Sequence, residues 1–187
     1  MNNPVRAMSQ RWFEAPLLRA MGGAVQGARA LEVGCGRGVG TELVLDVFGA
    51  AHVDAFDLDA EMVALARTRL AARGSSVRIW QGAAERIEAP DATYDAVFDF
   101  AIIHHVPDWR GAVSEIVRVL KPGGRFYGEE VLRAFIHHPL WRRLLEHPMD
   151  DRFDAQGFAQ GLDRAGLRVS ARREIFGQCA WFVAQKP

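Results

Sequence analysis

The stretch Leu31-Glu32-Val33-Gly34-Cys35-Gly36-Arg37-Gly38-Val39-Gly40-Thr41 decides the fold of this 187-residue chain. It begins inside an apolar run, Ala30 to Val33, that is broken only by Glu32 and reads as a buried strand. It ends where Leu43, Val44, Val47 and Phe48 recur at helical spacing. Between strand and helix stand four glycines at alternate positions, 34, 36, 38 and 40. Glycine admits positive φ and removes the Cβ atoms that would hold a ligand off the main chain. The helix behind the turn offers unpaired N–H groups. A second apolar run, Val53 to Phe56, ends at Asp57, 23 positions after Gly34. Adjacent ends of a parallel sheet lie side by side, so an acid at 57 can accept hydrogen bonds from both hydroxyls of a ribose.

The spacing argues against a dinucleotide fold, whose turn reads Gly-x-Gly-x-x-Gly. Counted from Gly34 or Gly36, the third glycine falls on Val39 or Thr41. A short-chain reductase would also need a Tyr-x-x-x-Lys pair, but Phe98 follows Tyr94 and Val131 follows Tyr127 at that distance.

Outward from the turn, the βα alternation continues. Asp59 is placed to cap a helix carrying Met62, Val63, Ala66 and Leu70, with Gly74 at its end. Val77 to Trp80 and Tyr94 to Phe100 read as further strands, and Val113, Ile116, Val117 and Leu120 as the next helical stripe. Lys121-Pro122-Gly123-Gly124 stops that helix before a strand from Arg125. The tail differs. Asp154 to Ala165 reads as a helix, and the runs Leu167 to Phe176 and Cys179 to Ala184 are parted only by Gly177 and Gln178, a link short enough for a hairpin and too short for a crossover helix. The expected fold is α/β: a Rossmann-like, mostly parallel seven-stranded sheet, helices on both faces, and a C-terminal antiparallel hairpin. The length fits one domain over residues 1–187, with 1–28 as an N-terminal helical cover and 131–153 as an insertion on the substrate side.

Composition narrows the partners. Basic and acidic residues balance at 23 each, so no global positive field favours nucleic acid. Two cysteines, Cys35 and Cys179, are too few for a disulfide framework or a closed zinc site, which suggests reduced thiols in a cytoplasmic protein. Residues 1–8 lack the apolar core of a signal peptide, and no run is apolar enough to span a bilayer. Without a heptad seam, a monomer is expected.

Taken together, these motifs resemble the class I S-adenosylmethionine-dependent methyltransferases, and most of all the small single-domain group that includes quinone-biosynthesis methyltransferases. The likeness runs from Ala30 to Gly128, through Glu32-Val33-Gly34-Cys35-Gly36, Asp57-Leu58-Asp59, Gly82-Ala83-Ala84-Glu85, Tyr94-Asp95-Ala96-Val97 to His104-His105-Val106, and Leu120-Lys121-Pro122-Gly123-Gly124. It implies S-adenosylmethionine as cofactor. Gly34, Cys35 and Gly36 would line its methionine part, Asp57 would hold the ribose, Leu58 and Met62 would flank the adenine, Ala84 would give it a backbone N–H, and the Phe100 carbonyl would meet the ammonium group. Glu32, Thr41, Ala83 and His105 complete the implied cofactor set. Many members carry Asp where this chain has Ala83, and the missing hydrogen bond should cost about 0.5–1.5 kcal/mol.

Methyl transfer from a sulfonium needs alignment and exclusion of water, and a base only where the acceptor must lose a proton. Candidates at the expected carboxyl edge of the sheet are Asp99, His104, His105, Glu129 and Glu130, with His104 and Glu130 the two named as catalytic, and Glu129 read equally as a solvated strand-end charge. Two segments could cover the site. Ser9 to Met21 carries Trp12, Phe13, Leu17 and Leu18; Val131 to Phe153 carries Phe135, Ile136, Leu140, Trp141, Leu144 and Leu145. Their apolar content suggests a small apolar or aromatic acceptor. Arg142 and Arg143 beside Trp141 allow weak contact with a membrane surface. His137, His138 and His147 lack matching carboxylates and are read as loop histidines, so no metal is expected. A non-catalytic cofactor-binding module is the alternative reading.

Overall fold

In the computed structural model of the chain, which describes residues 4–136 and 151–187, strand follows glycine turn follows helix where the sequence places them. The strands are β1 (Arg29–Val33), β2 (His52–Asp57), β3 (Val77–Gln81), β4 (Tyr94–Phe100), β5 (Leu120–Val131), β6 (Arg168–Ile175) and β7 (Cys179–Gln185). They form one sheet in the order β3-β2-β1-β4-β5-β7-β6. The first five run parallel, and β7 enters antiparallel between β5 and β6. Phe176 and Gly177 both take positive φ in the β6–β7 link, the signature of the tight turn that a two-strand hairpin requires.

Helix α1 runs through residues 4–22 as an α turn (Pro4–Ser9), a π stretch (Gln10–Glu14) and a second α segment (Ala15–Gly22). It is followed by α2 (Val39–Asp46), α3 (Ala60–Leu70), α4 (Trp109–Val119), α5 (Arg133–Ile136) and α6 (Ala155–Ala165). Side chains alternate across each strand, so the sheet feeds two cores. On one face α4 and α6 bring Val113, Ile116, Phe158 and Leu162 onto Leu31, Val97, Phe126 and Phe182. On the other, α1 and α2 bring Leu18, Leu43 and Val44 onto Ala96, Phe98, Tyr127 and Val183. Phe98 and Tyr127, register partners across β4 and β5, stack at 4.7 Å.

Aspartates start three helices, and the cap at Asp59 is the one the sequence reading named. Asp59, Asp108 and Asp154 accept hydrogen bonds from the main-chain N–H groups of Glu61, Gly111 and Gly157. Two boundaries differ from expectation. Helix α3 stops at Leu70, and Gly74 instead turns the 3₁₀ segment Ala71–Ser76 with φ +56°. Strand β5 starts at Leu120 rather than Arg125, because Leu120 already pairs with Tyr94; the chain then steps out at Lys121–Gly124 and rejoins at Arg125 opposite Ala96. The features expected of His137, His138, Leu140, Trp141, Arg142, Arg143, Leu144, Leu145 and His147 lie outside the described residues. Among the described residues, no helix is long and apolar enough to cross a membrane.

Trp109 holds α4 and α6 together. Its ring lies 5.0 Å from Phe153 and 5.7 Å from Phe158, and its indole N–H donates to the Asp151 carbonyl at 3.1 Å. Gly161 sits so close that an added Cβ would come within 2.6 Å of the ring. Trp109→Ala should therefore destabilise the fold by about 3–5 kcal/mol, measured as a lowered urea midpoint.

Candidate functional site

The strand order reverses between β1 and β4, and at such a switch point the two chain crossovers leave a crevice at the carboxyl ends of the strands. Here that crevice is an open cleft of ≈ 1180 Å³ joined to a smaller pocket of ≈ 220 Å³. Gly34, Asp57, Ile102 and His105 line both.

The turn after β1 is held by main-chain and carboxylate contacts. The Cys35 N–H donates to the Phe56 carbonyl at 2.9 Å. The Asp57 carboxylate accepts from the N–H of Gly36 at 2.8 Å through one oxygen and from the N–H of Asp59 at 3.0 Å through the other. Gly34 has φ +67°, and a Cβ there would meet the Ile102 side chain at 2.6 Å, so only glycine fits between the turn and the loop after β4. Gly40 is equally confined, by Glu32 and Phe100. Bare main chain thus faces the cleft where the sequence requires it.

The residues named for cofactor contact fall into three groups. Glu32, Gly34, Cys35, Gly36, Met62 and Phe100 border the large cleft. Leu58, Ala83 and Ala84 border the small pocket, with Asp57 and His105 shared between the two. Thr41 lines neither and donates its hydroxyl to Glu32. Burial pushes the Glu32 carboxyl up to about 8, against the Thr41 hydrogen bond.

His104 and Glu130, the two named as catalytic, line neither cavity. Both are 0 % exposed. Glu130 follows Glu129 by one residue and so points through the opposite face of the sheet. There it contacts His104 Nδ1 at 2.7 Å and accepts from the N–H groups of Ile103 and His104 at 3.1 Å each. Asp99 accepts from the Ile102 N–H at 2.9 Å, and Arg152 donates to the His104 carbonyl. These groups brace the loop after β4 from behind. Burial raises Glu130 to about 8 and lifts Asp99 well above the usual carboxylate range, with the Glu130 charge adding to the effect.

Glu129 is a cleft residue and not a solvated strand end. It is 4 % exposed, and its Oε1 accepts from Arg6 at 3.1 Å. Arg6 also pairs with Glu14, which accepts from the Ser9 hydroxyl at 2.7 Å. Arg6, Glu14, Ile175, Cys179 and Trp181 border the same cleft and were not singled out in the sequence. The parity of β5 carried a signal for Glu129: it lies two positions from Tyr127, whose ring faces α1 and α2. Nothing comparable pointed to Arg6, since its partner is 123 residues away.

Comparison with known proteins agrees with this geometry. A family model for the methyltransferase domain matches residues 31–128, about half of the chain. The chain belongs to the class I S-adenosylmethionine-dependent methyltransferases. It is 34% identical over 121 residues to a fatty-acid O-methyltransferase of Mycolicibacterium smegmatis, a match covering 65% of this chain and 43% of that protein. It is 35% identical over 112 residues to a ubiquinone biosynthesis O-methyltransferase of Xylella fastidiosa, covering 59% and 45% respectively. The chain therefore spans less than half the length of these curated relatives. In fold it is similar to a SAM-dependent methyltransferase from Aquifex aeolicus, with TM-score 0.77, 22% identity, and coverage of 100% of this chain and 95% of that one. It is also similar to the [4+2]-cyclase SpnF, with TM-score 0.77, 20% identity, and coverage of 92% and 79%.

The buried acids fix a sign for the pH dependence of stability. A carboxyl raised by folding binds protons that the unfolded chain has lost, so its contribution is complete below the unfolded value and lost as pH climbs through the folded one. For Glu32 and Glu130 that window runs from the ordinary glutamate value of 4.5 to about 8. The urea midpoint should fall steadily from pH 5 to pH 8, and Glu32→Gln should flatten part of that slope.

Proposed function

We propose that this protein binds S-adenosylmethionine across the two joined cavities and transfers its methyl group to a small apolar or aromatic acceptor. The observation that carries the reading is the position of Asp57 at the junction of the large cleft and the small pocket. A nucleoside with its base in the small pocket and its amino-acid end along Gly34–Gly36 would bring its sugar to that carboxylate. Both Asp57 oxygens already accept main-chain N–H groups, and each keeps lone-pair capacity for a ribose hydroxyl. Leu58 and Ala84 offer apolar surface to the base, and Glu32 and Phe100 stand at the amino-acid end.

S-adenosylmethionine supplies a methyl group already activated by the positive charge on its sulfur. The chain must then hold the acceptor in line and exclude water. Phe13, Val131, Phe135, Ile175 and Trp181 add apolar surface to the lining of the large cleft, which supports an apolar or aromatic acceptor. His104 and Glu130 act on this view as positioning residues, holding the loop that carries Ile102 and His105. Two free thiols support a cytoplasmic location.

The second reading is a cofactor-binding module without methyl transfer. It draws on Ala83, which brings no carboxylate to the small pocket, and on the cyclase that shares the fold, since fold alone does not set chemistry. Calorimetry with S-adenosylmethionine, followed by transfer assays with labelled cofactor and a panel of phenol, quinol and lipid acceptors, separates the two. Asp57→Ala should weaken cofactor binding by about tenfold or more, the loss of a hydrogen bond to a charged group. An unchanged dissociation constant would remove Asp57 from the sugar site, and tight binding with no transfer to any acceptor would favour the module.

A further inference from the structure

We propose that Glu129 and Trp181 form the acceptor's head-group subsite, that it takes a neutral hydroxyl on an aromatic or apolar body, and that Glu129 receives the hydroxyl proton. The inference rests on the methyltransferase reading and names the acceptor class that reading leaves open.

The two residues are direct register partners across β5 and β7. Opposed residues of an antiparallel pair project on the same face with Cβ atoms about 5 Å apart. Both are 4 % exposed and both line the large cleft. Each keeps one buried polar atom with no hydrogen-bond partner among the described residues: Glu129 Oε2, an acceptor, and Trp181 Nε1, a donor. Buried polar groups are nearly always paired, and an orphaned donor and an orphaned acceptor on register partners that line one cleft call for a ligand that satisfies both. A hydroxyl does so with one atom, donating to the carboxylate and accepting from the indole. An ether offers no donor.

The surroundings choose among hydroxyl-bearing and charged ligands. Glu14 adds a second buried carboxylate whose Oε2 also lacks a partner, and Arg6 is the one cation among the described residues that pairs with both acids. A carboxylate acceptor would meet two buried carboxyl groups and a single guanidinium. Phe13 packs edge-on to Trp181 at 5.6 Å and, with Phe135 and Val131, lines the apolar part of the chamber. Arg6 and Phe13 both belong to α1, whose π stretch includes Phe13 and Glu14, so this helix covers the pair and must yield as the acceptor enters. π segments recur at functional sites.

In the reaction the acceptor's O–H bond breaks as its proton moves to Glu129 Oε2. The electron pair stays on the acceptor oxygen, which would form the new bond to the methyl carbon as the methyl–sulfur bond breaks, its pair passing to sulfur and leaving a neutral thioether, and the carboxyl would later release the proton to water. Burial lifts the Glu129 carboxyl well above the ordinary carboxylate range, against the opposing pull of Arg6 and with the charge of Glu14 adding to it. A base so raised is better matched to a hydroxyl.

The test compares 4-ethylphenol, 4-ethylanisole and 4-ethylbenzoate as probes by calorimetry, alongside methyl transfer to phenols of graded acidity. Wild type should bind the phenol at least about tenfold more tightly than the anisole, as expected for a hydroxyl bonded to a charged group, and bind the benzoate least. Glu129→Gln should shrink the phenol preference and slow transfer to weakly acidic phenols by about 10²–10⁴-fold. Its effect should fade for strongly acidic phenols, which ionise unaided. S-adenosylmethionine binding should stay unchanged, which also reports that the variant is folded. Equal binding of phenol and anisole by wild type overturns the inference whether or not the variant folds, as does a Glu129→Gln loss that ignores phenol acidity. If S-adenosylmethionine binds but no phenol is methylated, the inference falls and the cofactor site stands. If S-adenosylmethionine does not bind wild type, the methyltransferase reading itself falls.

Discussion

The carboxylate of Asp57 ties two strand ends together, and the geometry of the cleft depends on that tie. One oxygen takes the N–H of Gly36 from the turn after β1; the other takes the N–H of Asp59 at the start of α3. A turn of glycines has the widest choice of backbone conformations in the unfolded chain, so it gains no definite shape from its own residues. Charge-assisted bonds to main-chain N–H groups supply that shape from the neighbouring strand. The same carboxylate then stands where the large and small cavities meet. The shape of the turn and the wall of both cavities draw on one side chain.

Above that turn the carboxyl edge of the sheet carries an unusual load of buried acid. Glu14, Glu32, Asp99, Glu129 and Glu130 are all buried. An ionised carboxylate without partners in an apolar interior is strongly unfavourable, so each such group must be paired, hydrogen-bonded or protonated. Glu130 answers with two main-chain N–H groups and His104, Glu32 with the Thr41 hydroxyl, and Glu129 with Arg6. Asp99, Glu129 and Glu14 each retain an oxygen with no partner among the described residues. At Glu129 and Glu14 such atoms belong to residues that border the cleft, while Asp99 lies behind the loop after β4 beside Glu130.

The alternation of a strand gives neighbouring glutamates opposite duties. Glu129 shares a face with Phe100 and Trp181, its register partners on β4 and β7. Glu130 shares the other with Asp99 and the loop at Ile103–His105. One looks into the cleft and the other braces the cleft wall. In the sequence the two are adjacent and chemically identical, and Glu130, named there as catalytic, lies on the face away from the cleft while Glu129 lines it. Periodicity of two was available to settle it, but only once the strand's phase was known from Phe126 and Tyr127, whose rings enter different cores.

Local chemistry sufficed for much of this protein. The strand–glycine–helix signal around Gly34–Gly40, the cap at Asp59 and the short link of the terminal hairpin each act within a few residues, so a linear reading reaches the fold class. Boundaries such as Leu120 escaped it because β-pairing with Tyr94 overrides the helix-stopping local sequence. The cleft wall that carries Arg6, Glu129 and Trp181 was decided by tertiary structure alone. Arg6 meets Glu129 across 123 residues, and Trp181 reaches the cleft because β7 inserts beside β5. Such contacts arise from strand order and side-chain phase, which are properties of the assembled sheet and have no expression in neighbouring residues.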